Sequence, residues 1–196
     1  MKTGIMLLAA GNSSRLGKPK QLLVFEGNTL LEKTIAVAEQ TSFAPIVLVL
    51  GAYADDILAS INELNINYII NDNWQDGISA SIKVGLKKMI NLEPEIENVI
   101  IAVADQPFVT ADIFNSLHGQ QLKTGKNIIA SSYAETIGTP ALFNTQYFDE
   151  LILLEGGSGA KHLMTKHIND VATIQFTLGN IDIDTETDYK NLTEPQ

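Results

Sequence analysis

The chain has 196 residues, 45% hydrophobic and 18% charged, a globular balance that excludes a disordered or low-complexity polymer. It contains no cysteine, which excludes disulfides, thiolate catalysis and cysteine-ligated zinc or iron–sulfur centres and fits a reducing compartment. Lys+Arg 13 against Asp+Glu 23 leave a net charge of −10, a sign that disfavours nonspecific adhesion to nucleic acid or to an anionic membrane.

The first apolar run, Ile5 to Ala10, follows a single Lys2 and is short for a signal-peptide core, and far short of the roughly 20 residues that span a bilayer. A cytoplasmic protein is expected, in which the Asn12-Ser13-Ser14 and Asn191-Leu192-Thr193 sequons stay idle. Strand-type runs follow at Gly4 to Ala9, Pro45 to Leu50, Asn67 to Ile70, Asn98 to Ala104, Asn127 to Ser132 and Val171 to Phe176. Between them, Thr29 to Gln40, Ala54 to Leu64 and Ser79 to Ile90 carry apolar residues at helical spacing. Strand–helix alternation predicts a mostly parallel sheet with helices on both faces. The unbroken apolar runs Ile46 to Leu50 and Val99 to Ala104 suit central strands buried on both sides.

No linker, charge block or repeat divides the chain, so one domain over residues 1–196 is expected. Beyond Ser132 the rhythm changes. Gly138-Thr139-Pro140 reads as a turn, Ala141 to Phe143 as a short strand, and Gly156-Gly157-Ser158-Gly159 as the entry to a helix Ala160 to His167. This last third is expected to cover one sheet edge and to help form a pocket.

The strongest chemical signal is the loop Leu8-Ala9-Ala10-Gly11-Asn12-Ser13-Ser14-Arg15-Leu16-Gly17-Lys18-Pro19-Lys20 directly after the first strand. Ligands of open parallel sheets bind at the carboxyl ends of strands, where a glycine-bearing loop can bring backbone N–H groups to phosphate oxygens. Arg15 is the sole arginine; its planar fork suits two phosphate oxygens, and Lys20 adds a point charge. The loop is neither a Walker A sequence, since Lys18 is followed by Pro19, nor a dinucleotide fingerprint. Pro19 should keep the chain extended as far as Lys20.

Asn71 to Ser81 forms a polar loop whose small Gly77, Ser79 and Ser81 permit close approach by a base or ribose. The lone Trp74 within it suits stacking on a base or anchoring of its loop. Asp105, at the mouth of a central strand and followed by Gln106-Pro107, needs a compensating cation, and Mg²⁺ on a triphosphate would serve. Near the end, Asp182 and Asp184 alternate onto one side. One of them could be a second metal ligand, while Thr185 and Asp188 could form a cap for a helix Glu186 to Leu192. Gly156 to Ala160 falls short of a hydrolase nucleophile elbow, since Ala160 stands where the last glycine is required.

These residues resemble the MobA-like nucleotidyltransferases, and within them the molybdenum cofactor cytidylyltransferases. The resemblance runs through the Leu8 to Lys20 loop with Gln21-Leu22-Leu23, Asn73-Trp74 with Gly77, Ser81 and Gly85, and Ala104-Asp105-Gln106-Pro107. It continues through Gly138 to Phe143, Gly156 with Gly159-Ala160, and Asp182 to Asp188. The family implies a Rossmann-like three-layer α/β fold of the nucleotide-diphospho-sugar transferase type, with a nucleotide over the strand ends. By that resemblance Ala9, Ala10 and Gly11 contact base and ribose, Arg15 and Lys20 hold the triphosphate, and Asp105 with Asp184 binds Mg²⁺. Ala-Ala-Gly in the loop resembles CTP users, and Ala-Gly-Gly GTP users, so Ala10 points to CTP.

Gly138, Pro140, Gly159 and Lys161 fall on the acceptor side, where this chain departs from its relatives by carrying Thr139 in place of a common His and Lys161 in place of a common Arg. The implied reaction moves CMP from CTP to a molybdopterin-type acceptor with release of pyrophosphate, and the resemblance implies a molybdoenzyme as recipient of the product. Transfer to a sugar or polyol phosphate, a non-catalytic nucleotide-binding module and a serine hydrolase are the competing readings.

Overall fold

A computed structural model describes residues 1–61 and 66–193. The chain opens with β1 (Thr3–Ala9), a small hairpin of β2 (Val24–Phe25) and β3 (Asn28–Thr29), and α1 (Leu30–Glu39). It continues through β4 (Ile46–Leu50), α2 (Ala54–Ser60), β5 (Asn67–Ile70), α3 (Ile78–Leu92), β6 (Asn98–Val103) and α4 (Ala111–Thr124). Then come β7 (Ile128–Tyr133), β8 (Thr136–Asn144), α5 (Phe148–Ile152), α6 (Lys161–Lys166), β9 (Val171–Gln175) and α7 (Glu186–Thr193). Positions 62–64 of the helix expected from Ala54 to Leu64 lie outside the described residues.

Seven strands form one sheet in the order β5-β4-β1-β6-β8-β7-β9, with β8 alone antiparallel to its neighbours. The mostly parallel sheet expected from the sequence is therefore present. Residues of β1 alternate between its two faces, as the strand period requires. Met6 and Leu8 join a core with Val47, Val49 and the α3 residues Ile82, Leu86 and Met89. Ile5, Leu7 and Ala9 join the opposite core with Leu31 and Ile35 of α1, Ile57 of α2 and Phe114 of α4. At α1, Thr29 forms a capping box with Glu32, each satisfying a backbone donor of the other.

The last third departs from the expectation in one instructive way. Gly138-Thr139-Pro140 is no turn; it lies within β8, and the reversal falls at Ala134-Glu135, both at positive φ. A two-residue hairpin of that twist ordinarily uses Asn-Gly or Asp-Gly, so the sequence carried no signal there. Proline is tolerated inside β8 because the pairing with β7 slips between Ala130 and Ser131, and the pairing with β6 ends at Ala141. Ser131 Oγ donates to Pro140 O at 2.6 Å across the irregular step.

Close packing of α3 on the sheet depends on Gly85. A Cβ there would stand 2.6 Å from Val49 Cγ2 and 2.8 Å from Met6 Sδ, both on fully buried strand residues. Gly85→Ala should therefore destabilise by about 1–3 kcal/mol despite its higher helix propensity. Urea unfolding of the variant measures this; unchanged or increased stability would show that the helix–sheet spacing is not at its limit.

Candidate active site

The loop after β1 is held by its own polar groups and by neighbours on both sides. Ser13, at φ 48, accepts backbone donors from Leu16 and Gly17, and its hydroxyl accepts from Lys20 N at 3.1 Å. Pro19 is extended, and a single helical turn opens only at Lys20, as far along as the sequence expected the chain to stay extended. Gln21 is buried and donates through Nε2 to Ala9 O at 2.8 Å and to Gly11 O at 3.3 Å. It therefore ties down two carbonyls of the loop. Sequence reasoning gave Gln21 no role of its own; a lone polar residue ahead of Leu22-Leu23 was the available signal.

Asp105 stands two residues beyond the end of β6, beside the loop after β1. Its carbonyl accepts from Ile183 N at 3.2 Å, and Ile183 is fully buried, which brings Asp184 alongside Asp105. The Lys20 ammonium lies between them, hydrogen-bonded to Asp105 Oδ2 and, at 2.9 Å, to Asp184 Oδ1. Arg15, largely exposed, grips Asp184 Oδ2 from the rim. Two cations and two carboxylates thus neutralise one another. Burial works against the charge on Lys20, yet the adjacent Asp105 and Asp184 carry its pKa above the ordinary lysine value. Partial burial would raise Asp184, but hydrogen bonds and charge from Lys20 and Arg15 hold it below the ordinary carboxylate range. Asp182 goes the other way, raised by burial and by the negative charges of Asp184 and Asp105.

Of these groups Lys20 and Asp105 line a cleft of about 370 Å³ at the carboxyl ends of the central strands, while Arg15 and Asp184 stand outside its lining. Ala9, Ala10 and Gly11 line it together with Gly77 and Ser81, and Lys20 and Asp105 reach into it. Ser79 does not line it: the residue is 1% exposed and turned into the protein. Of the acceptor-side candidates, Gly159 packs on Ile78, itself a cleft residue, and Gly156 packs on Gly77. Gly138 faces the Tyr133 hydroxyl beside the Asp105 turn, which Gln106 fastens by donating to Thr139 O and Gly179 O. Pro140 lies in β8, and exposed Lys161 donates to Thr136 Oγ1 at 2.8 Å, outside the cleft lining.

The donor chemistry fits a divalent cation. Asp105 and Asp184 offer hard oxygen ligands close enough to share one ammonium. Among the described residues no third metal-binding side chain completes a cage with them. Two carboxylates with the remaining positions left to phosphate and water is the usual arrangement for magnesium on a nucleotide.

Residues 5–171 match the model of the MobA-like NTP transferase domain. The chain belongs to that family. The matched span contains Lys20 and Asp105 and ends before Asp184. Among curated relatives, nicotine blue oxidoreductase of Paenarthrobacter nicotinovorans is 34% identical over 54% of this chain and 50% of its own length. The molybdenum cofactor cytidylyltransferase of Escherichia coli (strain K12) is 30% identical over 57% of this chain and 56% of its own. The 2-C-methyl-D-erythritol 4-phosphate cytidylyltransferase of Psychrobacter arcticus is 30% identical over 67% of this chain and 48% of its own. The chain thus spans about half the length of the curated relatives it matches.

Two solved structures extend the likeness to nearly the whole chain. The homologue of Rv0371c from Mycobacterium sp. strain JC1 is 32% identical, with TM-score 0.84 over 97% of this chain and 94% of that one. Rv0371c of Mycobacterium tuberculosis in complex with manganese is 26% identical, with TM-score 0.83 over 100% of both chains. The MobA-like resemblance and the three-layer fold expected from the sequence are both borne out. No helix among the described residues is long and apolar enough to cross a membrane.

The paired charges carry a pH signature. Because the folded-state pKa of Asp184 lies below its unfolded value, the stabilisation is fully present above about pH 4 and is lost as pH falls through the depressed folded value. Asp184→Asn should lower the melting temperature of the ligand-free protein at pH 7, with the gap from wild type narrowing in acid. A gap that is constant with pH would place the effect in packing rather than charge.

Proposed function

We propose that this protein is a nucleotidyltransferase that moves CMP from CTP to the phosphate of a molybdopterin-type acceptor and releases pyrophosphate. The observation that carries the transferase reading is the Lys20 ammonium set between Asp105 and Asp184 at the mouth of the central strands. Asp105 and Asp184 would hold a magnesium ion, which neutralises triphosphate charge when bound. Lys20 and Arg15 bind phosphate oxygens, Lys20 as a point charge and Arg15 through its fork. An acceptor phosphate oxygen attacks the α-phosphorus in line; the new P–O bond forms as the bond to pyrophosphate breaks. Positioning and electrostatics suffice for such a transfer, and the scheme uses no side-chain nucleophile.

Ala10 in the first loop favours CTP through the Ala-Ala-Gly resemblance, and the acceptor rests on the molybdenum cofactor cytidylyltransferase relative. Gly159 and Gly156 pack on the cleft residues Ile78 and Gly77, which supports an acceptor site at the cleft edge. A polyol phosphate acceptor is the second reading, favoured by the relative that matches 67% of this chain. We assign the whole chain, residues 1–196, to one transferase domain acting in the cytoplasm.

Incubation with Mg²⁺, CTP and the metallated pterin should give equal amounts of pyrophosphate and a cytosine dinucleotide. Asp105→Asn should lower that turnover on the order of 100-fold while keeping the fold, because the amide leaves the developing charge uncompensated. Turnover on 2-C-methyl-D-erythritol 4-phosphate instead of the pterin would transfer the assignment to the second reading. Product from GTP in preference to CTP would overturn the nucleotide assignment.

A further inference from the structure

Trp74 is the sole tryptophan of the chain and opens a single helical turn, Trp74–Asp76, between β5 and α3. A tryptophan that anchors a loop is packed against the core, with its indole N–H satisfied. Trp74 is neither. It is half-buried and belongs to none of the three apolar clusters among the described residues. No hydrogen bond or aromatic pair involves its ring there. It does line the same cleft as Ala10, Lys20 and Asp105.

Its place in the cleft follows from the strand order. Gly51 directly follows β4, and a Cβ there would come within 2.5 Å of Ala10 O and 2.8 Å of Trp74 Cβ. The missing side chain at Gly51 is what lets the Trp74 turn close against the first loop. Trp74 therefore sits over the end of β4, while Asp105 sits over the end of β6, with β1 between them. Two strand spacings separate those ends, roughly 10 Å. The cleft has a charged end, at Lys20 and Asp105, and an uncharged end, at Trp74, Gly77 and Ser81.

From this arrangement we infer that Trp74 is the stacking platform for the base of the bound nucleoside triphosphate, an assignment that rests on the transferase reading. A triphosphate at the charged end leaves its planar heteroaromatic ring roughly that distance away, at the one aromatic face in the uncharged end. The base gains a desolvated ring contact, and the indole covers an exposed face that the fold alone leaves open. Stacking is tolerant of base identity, so Trp74 supplies affinity while the Ala10 side of the cleft supplies choice of base.

The single tryptophan makes the test direct. Titrating the protein with CTP and Mg²⁺ should quench the intrinsic fluorescence, with half-saturation matching that from calorimetry, whereas pyrophosphate with Mg²⁺ should leave it unchanged. In Trp74→Ala, CTP should bind about tenfold more weakly by calorimetry with pyrophosphate binding unaltered, and Trp74→Phe should recover most of the loss. Wild-type CTP binding with no fluorescence change and no loss in Trp74→Ala would overturn the platform and leave the transferase standing. Quenching by the pterin acceptor but not by CTP would also overturn it, since the ring at that end would then be the acceptor's. Failure of the wild-type protein to bind any of the four nucleoside triphosphates by calorimetry would overturn the transferase reading and the platform with it.

Discussion

Two carboxylates held side by side at the end of a buried strand demand a cation, and the geometry around Asp105 and Asp184 answers that demand with Lys20. Asp182 beside them is raised, first by burial and then by the negative charges of Asp184 and Asp105. Arg15 adds a second positive charge from solvent, so the four groups sum to zero without ligand. In the proposed function a magnesium–triphosphate complex would bring a cation for the carboxylates and oxygens for the lysine and arginine. The same four residues can therefore be satisfied in two ways.

Much of the remaining architecture serves to bring these four side chains together. Lys20 and Asp105 are 85 residues apart, and they meet because β1 and β6 are adjacent and parallel, each ending at the same edge of the sheet. Asp184 arrives by a different route. Buried Leu23, Leu30 and Ile183 form a small third core, with Leu16, Phe25 and Tyr189 packed around it. The Tyr189 hydroxyl donates to Val24 O, and Lys18 pairs with Glu186. The capping box of Thr185 and Asp188 starts α7 immediately after Asp184. The C-terminal segment and the loop after β1 are consequently one packing unit.

Much of this was legible in sequence because strand and helix periods are local. β5 lies at Asn67–Ile70 as read, the Thr185 cap formed, and Lys20, Asp105 and Asp184 converge. What escaped depended on tertiary context. The helical stripe of α4 is broken where buried Gln121 takes an apolar position to donate to Asn98 Oδ1 at 2.7 Å, so its period is weak. The proline of β8 reads as a breaker unless the slipped register beside it is known. Ser79 has the composition of a ligand residue, but helical phase turns it inward while Ser81 reaches the cleft. No local pattern distinguishes a tryptophan in a core from one facing a cleft.

The exchange of partners at Lys20 is the central claim, and a crystal structure with Mn²⁺ and a non-hydrolysable CTP analogue tests it most directly. The account predicts an anomalous manganese peak coordinated by Asp105 and Asp184, with Lys20 Nζ moved from the carboxylates to phosphate oxygens. A nucleotide bound elsewhere, or a metal site lacking both aspartates with Lys20 still between them, would contradict it.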